Sequence, residues 1–338
     1  MHEAIFRRLS MNVYDLTIIG AGPTGLFAAF YAGMRAMKTK VIEALSEPGG
    51  QLTVLYPDKF IYDVAGFPRV LSKDLVKHLT EQSSQFKPTF CFNEQVRSIS
   101  YANDGIIRLE TDVQEHFTRT IIICAGVGAF SPTKLDAPGV QKLEGKGVFY
   151  RVQDKVALRG KRVLIVGGGD SAVDWALNLQ HWAEEVTLIH RRDVFRAHES
   201  SVTSLFSSDV KVKLFHEVKE VHGEERVTSA TIVNNKTQET LDINIDVVLV
   251  LIGFKTAIGP LKDWSLELQD NRILVNGRME TNLPGVYAAG DIVQPKDSAR
   301  LNLICIGLAQ GAIAVNCAKN FMDPSAAIYP GHSSDKRF

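Results

Sequence analysis

Cysteine is scarce: four thiols, Cys91, Cys124, Cys305 and Cys317, stand far apart in 338 residues. No two of them form CxxC, and none has the spacing of a metal-ligand set, so neither a dithiol relay nor a metal site is expected. Cys124 falls in an apolar stretch, where a thiol is usually inert core. The shortage suits a reducing, cytoplasmic setting. Long apolar runs are also lacking, and nothing approaches the ~20 residues of a membrane span. The first ten residues, MHEAIFRRLS, have no signal-peptide core and read as a loose extension before a domain that begins near Met11. Nor is there an excess of one charge. The 38 Lys and Arg balance 38 Asp and Glu, which removes any global case for nucleic acid or an acidic membrane as partner.

What remains is an ordinary globular composition, 45% hydrophobic and 22% charged, with length for about two domains. The organising stretch is YDLTIIGAGPTG at Tyr14 to Gly25. A short apolar strand (Leu16 to Ile19) runs into Gly20, Gly22 and Gly25, and Leu26 to Ala36 reads as a helix of small residues. In such a GxGxxG turn the first glycine permits the tight bend, the second lets a pyrophosphate approach the backbone, and the third lets helix pack on strand. The helix N-terminus then offers free N–H groups and partial positive charge to the phosphates. The next strand, Thr39 to Ile42, ends in Glu43, 23 residues after Gly20, where an acid can accept hydrogen bonds from a ribose diol.

The device occurs twice. Arg162 to Val166 reads as a strand, Gly167, Gly169 and Ala172 make GxGxxA, and a helix is expected from Asp170 and Ser171 to Gln180. Counting 23 residues from Gly167 lands on His190, followed by Arg191 and Arg192, with Arg196 close behind. An acid at this place suits a bare ribose, whereas guanidinium forks suit a 2′-phosphate. The alternative is a solvated charged loop. The first fold is therefore read as the FAD site and the second as an NADP(H) site, the pairing of a flavin enzyme fed by a nicotinamide cofactor.

Between these folds, SEPGGQL at Ser46 to Leu52 is a glycine turn that would bring the backbone at Gly50 near a ligand. A helix is expected from Ser72 to about Phe86, and strands at Phe90 to Phe92, Val96 to Tyr101, Ile106 to Thr111 and Glu115 to Ile123. Residues Val210 to Leu241 read as strands with a hairpin, and Asn302 to Asn320 as a long amphipathic helix. The fragment VYAAGD, Val286 to Asp291, is a strand ending in small residues and an acid that can face a polyol, so it belongs with the first fold. The second fold is then an insertion: residues 1–127 and 256–338 form the FAD-binding domain and 128–255 the NADP-binding domain, in an α/β architecture of two Rossmann-like units.

Taken together, the first fingerprint, GGQL at 49–52, IYDVAGFP at 61–68, GGGDSAVDW at 167–175, HRRDVFRAH at 190–198, METNLPGVYAAGD at 279–291 and the His332-Ser333 tail resemble the thioredoxin reductase-like ferredoxin–NADP reductases over nearly the whole chain. The resemblance implies a homodimeric FAD enzyme exchanging electrons between NADP(H) and ferredoxin. It also implies that Thr24, Glu43, Gln51, Tyr56, Val96 through its backbone, Phe130, Asp291 and Ser333 contact FAD. Arg191, Arg192 and Arg196 would meet the NADP phosphate, while Tyr56 and His332 would sandwich the flavin ring. Thioredoxin reductases carry CxxC in the inserted domain, but residues 128–255 here contain no cysteine. Bacillithiol disulfide reductases carry a cysteine inside the first glycine motif, where this chain has Thr24. Electrons are thus expected to leave the flavin directly, with no side chain acting as general acid or base. The open alternatives are an NADPH-dependent flavodoxin or quinone reductase and, in another class, a flavin- and NADPH-binding redox sensor.

Overall fold

The structure is a computed structural model that describes residues 12–152 and 154–332, with the backbone alone at residues 103, 129–131 and 254–257. Ser333 lies outside the described residues. The chain forms two compact units, Met1–Ala129 with Thr256–Phe338, and Phe130–Lys255.

The first unit opens with β1 (Val13–Ile19), α1 (Pro23–Met34) and β2 (Thr39–Ile42). Helix α1 starts three residues before the expected Leu26, because Pro23 is compatible with a first helical turn whose N–H groups are unpaired anyway. It ends at Met34, and Ala36 just beyond takes a left-handed conformation (φ 52°) that breaks the helix. Next come α2 (Gln51–Leu55), the short pair β3 (Phe60–Ile61) and β4 (Val70–Leu71), α3 (Ser72–Ser84), β5 (Thr89–Cys91), β6 (Val96–Tyr101), β7 (Ile107–Thr111) and β8 (Glu115–Ile123). The main sheet has the order β5-β2-β1-β8-β7-β6. Strands β5, β2, β1 and β8 run parallel, and the β6–β7 ribbon returns antiparallel. All four residues of β2 and the last four of β8 are buried, as parallel strands covered on both faces require.

The second unit is entered through β9 (Ala129–Pro132) and continues with β10 (Val148–Phe149), β11 (Arg162–Val166), α4 (Asp170–Leu179), β12 (Glu185–His190), α5 (Glu199–Phe206) and β13 (Lys211–Leu214). Then follow β14 (His216–Gly223), β15 (Val227–Asn234), β16 (Thr240–Asn244) and β17 (Val247–Val250). One sheet, β10-β17-β11-β12-β13, is parallel throughout. The other, β14-β15-β16, is antiparallel. The stretch expected as strands and a hairpin is therefore divided between two sheets. The division falls at Phe215, whose left-handed backbone (φ 62°) turns the chain off the parallel sheet.

The chain leaves through β18 (Phe254–Ala257) and completes the first unit with β19 (Leu268–Gln269), β20 (Arg272–Val275), β21 (Val286–Ala288), β22 (Val293–Pro295) and α6 (Ile304–Met322). Strand β21 pairs parallel with the buried end of β8. Helix α6 runs two residues beyond the expected end and stops where Pro324 forces Asp323 into an extended conformation. Its small-residue face closes on α1, with Gly311 against Ala28. The two units repeat one plan. Strands β5-β2-β1-β8 and β13-β12-β11-β17 have the same parallel order, and β21 and β10 add the next strand at the same edge.

Candidate nucleotide-binding sites

The two glycine turns are superposable in their physics. A Cβ on Gly20 would lie 2.4 Å from the Cys124 carbonyl oxygen, and one on Gly167 would lie 2.3 Å from the Leu251 carbonyl oxygen. In each unit the first glycine lets the turn press against the end of the neighbouring strand. By contrast, a Cβ on Gly22 or on Gly169 would meet nothing within 4 Å. The second glycine of each motif faces open space at a helix N-terminus, the geometry a pyrophosphate uses.

In the first unit the acid at the end of β2 closes around the turn. Glu43 Oε2 accepts from the Ala21 N–H (2.7 Å) and Oε1 from the Leu45 N–H (2.9 Å), which leaves further lone pairs on both oxygens. Burial pushes its carboxyl above the ordinary range, against the pull of the Ala21, Leu45 and Ala44 N–H groups. Gly49 donates its N–H to the Ala21 carbonyl (2.8 Å), and a Cβ on Gly50 would come within 3.4 Å of the Gly22 Cα. Gln51 hydrogen-bonds Asp291, whose carboxyl burial raises while Gln51, Arg272 and Arg300 draw it back. Tyr56 senses Asp291 as well: burial first, then the Asp291 and Asp63 charges, push its phenol up to about 12. Thr24 lies beneath Gly290 and Gly307, so a Cβ on Gly307 would be 2.2 Å from its Oγ1. Gln310 receives the Gly290 N–H at 2.8 Å. Gly20, Gly22, Thr24, Gly25, Glu43, Gly50, Gln51, Tyr56 and Asp291 thus form one constellation, with the start of α6 beside it. Val96 is buried at the start of β6, just past Glu94, whose N–H donates to the Glu43 carbonyl (3.0 Å).

The corresponding end of β12 carries cations. Arg191, Arg192 and Arg196 line a cavity of about 650 Å³ together with Gly167, Gly169, Asp170 and Ser171. The loop is stitched onto the glycine turn: His190 lies over Gly168, Arg196 N–H donates to the Gly168 carbonyl (2.8 Å), and His198 N–H donates to Asp170 Oδ1 (3.1 Å). Among the described residues, no acceptor pairs with the guanidinium of Arg191, Arg192 or Arg196. Three cations converge on a glycine turn with their donors unspent.

Sequence reasoning gave no sign of a buried chain under Glu43. Lys40, His116 and Glu94 are hydrogen-bonded in series, and Thr111 Oγ1 donates to Glu94 Oε1 (2.7 Å). Burial raises the Glu94 carboxyl, but the bonds from His116 and Thr111 outweigh it and hold the group below its ordinary value. Cys91, Glu94 and His116 bring their ligand atoms within 4.8 Å of one another. A dication there would sit beside the Lys40 ammonium and would displace the Lys40–His116 and His116–Glu94 bonds, so the cluster reads as a brace for the loop that carries Glu43. The tail is anchored as well. Arg35 is bonded to Asn316 and donates through Nη2 to the Ala327 carbonyl (2.8 Å), and Asn320 Nδ2 donates to the Ala326 carbonyl (2.9 Å). His332 Nε2 meets the Tyr329 hydroxyl at 3.0 Å.

Residues 14–313 match the model of the pyridine nucleotide-disulphide oxidoreductase family. A ferredoxin–NADP reductase of Symbiobacterium thermophilum is 51% identical over 331 residues, covering 96% of this chain and 98% of the relative. A ferredoxin–NADP reductase of Shouchella clausii is 50% identical at 96% and 98% coverage. Among solved structures, Lactococcus lactis thioredoxin reductase is similar with a TM-score of 0.77 and 28% identity, covering 91% of this chain and 98% of that one. With two dinucleotide folds of opposite charge at their strand ends and this likeness over nearly its full length, the chain belongs to the pyridine nucleotide-disulphide oxidoreductases and, within them, to the ferredoxin–NADP reductases of thioredoxin reductase-like fold.

Proposed function

We propose that the first unit (taken as 1–127 with 256–338 from sequence) holds FAD, that the second (128–255) holds NADP(H), and that the chain exchanges electrons between NADPH and ferredoxin. The observation that carries this reading is the contrast between Glu43 and the unpaired arginines at equivalent strand ends. FAD fits the first constellation because Gly22 leaves an open approach at a helix N-terminus and Glu43 retains lone pairs for a ribose diol. When bound, the two cofactors supply hydride exchange and the flavin divides the electron pair for a one-electron acceptor.

The chain's own residues bind and orient. Asp291, held by Gln51, offers its carboxylate to hydroxyls of the ribityl chain. Tyr56 keeps its proton at any physiological pH and serves as an aromatic wall, not an acid. The start of α6 beside Thr24 favours negative charge nearby. Val96, Phe130 and Ser333 are assigned to FAD by resemblance, as is His332, which would cover the ring opposite Tyr56 from a second copy in a homodimer. A cytoplasmic setting suits a chain in which no described helix is long and apolar enough to cross a membrane.

The test begins with purified protein: its heat-released flavin should be FAD, and recovery of FMN would sink the assignment. NADPH should be preferred over NADH. Replacing both Arg191 and Arg192 with Ala removes charge-assisted hydrogen bonds worth roughly 1.5–3 kcal/mol each and should erode that preference by about two orders of magnitude. Turnover with ferredoxin, flavodoxin and a small quinone under NADPH then separates the acceptors, and a failure to turn over with any of them would favour a sensor.

A further inference from the structure

Asn235 stands just past β15, and its contacts tie the antiparallel sheet to the arginine loop. Its backbone N–H donates to the Phe215 carbonyl (2.7 Å), which fixes the residue against the corner where the chain changes sheets. Both hydrogens of its side-chain amide are used. Nδ2 donates to the Arg191 carbonyl oxygen (2.9 Å) and to Glu217 Oε1 (2.9 Å). Both partners are pure acceptors, so the amide orientation is determined: turned over, its oxygen would face two oxygens.

Glu217 is the awkward member of this cavity. Its carboxylate lines the same space as Arg191, Arg192 and Arg196, and there it opposes a phosphate. We propose that Asn235 is a positioning residue for cofactor discrimination, holding the Arg191 backbone in place and tethering the Glu217 carboxylate so that a 2′-phosphate meets guanidinium groups unopposed. The inference rests on the reading of the arginines as the 2′-phosphate site. It involves no contact between Asn235 and the cofactor. Its effect is confined to the phosphate, since an NADH ribose needs neither the arginines nor relief from Glu217.

The holoenzyme is assayed with NADPH and NADH, using ferricyanide as acceptor, in wild type, Asn235→Asp, Asn235→Ala, the double variant Asn235→Asp/Glu217→Gln, and Arg191→Ala/Arg192→Ala. Asn235→Asp removes both donated bonds and sets a second carboxylate beside the Glu217 carboxylate and the Arg191 carbonyl, so KM for NADPH should rise roughly tenfold. KM for NADH and both kcat values should stay within about twofold, the Asn235→Ala effect should be smaller, and Glu217→Gln in the double variant should restore most of the loss. Equal rises for both cofactors, or no rescue by Glu217→Gln, would overturn the proposal and mark Asn235 as ordinary scaffold. If Arg191→Ala/Arg192→Ala abolishes the NADPH preference while both Asn235 variants keep it, the proposal fails and the arginine reading stands. If the arginine variant keeps the preference, the arginine reading has failed and takes the proposal with it. Should Asn235→Asp not fold, Asn235→Ala carries the same comparison.

Discussion

Gly22 and Gly25 are three residues apart, yet the same methyl group should act on them in opposite ways. A Cβ on Gly25 would lie 1.9 Å from the Gly20 carbonyl oxygen, so Gly25→Ala must move backbone, at a cost of about 1–3 kcal/mol by the usual toll of overpacking. Thermal melts of the flavin-free protein should record it. Gly22→Ala adds its methyl to open space and should leave that melt unchanged, while flavin content falls because the methyl occupies the pyrophosphate's approach. Full flavin retention in Gly22→Ala would deny the turn its proposed role. Such residues were legible in the sequence because the relation among Gly20, Gly22, Gly25 and Glu43 is a spacing along the chain. The same holds for Arg191 and Arg192 at the end of a strand. Asn235 and the Lys40–His116–Glu94 chain were not legible, because their meaning lies in partners tens of residues away: Asn235 reaches Arg191 across 44 residues and Lys40 reaches His116 across 76.

At the scale of elements, β11 and β17 are fastened where they begin. Asp246 accepts from Arg162 Nη2 (2.9 Å), Nε (3.1 Å) and the backbone N–H (2.9 Å), and those bonds, against a smaller effect of burial, hold its carboxyl down at about 2. A carboxyl depressed in the folded state contributes stability that is present above its ordinary value and disappears as pH falls through the folded one. The contribution should therefore be lost between about pH 4 and pH 2. Since both side chains are partly exposed, solvent screening limits it to about 1 kcal/mol. Chemical denaturation of Asp246→Asn should show that deficit at pH 7 and none near pH 2; an equal deficit at both would mean the carboxylate charge is irrelevant. Element existence was readable where burial repeats locally, as in β1, β2, β8 and β11. Boundaries were less so, since Pro23 and Ala36 moved both ends of α1 and Pro324 set the end of α6. The assignment of β13 to one sheet and β14 to another turned on the single backbone angle at Phe215, which no residue preference announces.

Over the whole molecule, the four thiols stand apart, Cys91 and Cys305 half-buried and Cys124 and Cys317 buried. Burial pushes the Cys124 and Cys317 thiols up, away from the thiolate form that exchange requires, and Phe130–Lys255 holds no cysteine. A variant with all four cysteines changed to Ala, once shown to fold and to bind flavin, should keep NADPH-dependent acceptor reduction within about twofold, and thioredoxin should be a poor substrate. Loss of electron transfer in that folded variant would overturn the direct route. The discontinuity of the first unit also reaches back to the ribosome. Its sheet needs β21 against β8, and its helix α1 needs α6, so nothing before residue 286 can finish it. The second unit is one uninterrupted stretch that emerges whole beforehand. During synthesis the inserted unit should become protease-resistant first, while residues already made for the other wait unclosed. Nascent chains stalled soon after residue 255 has emerged should yield a protected fragment from the second unit alone, and simultaneous protection of residues 13–129 would contradict that order.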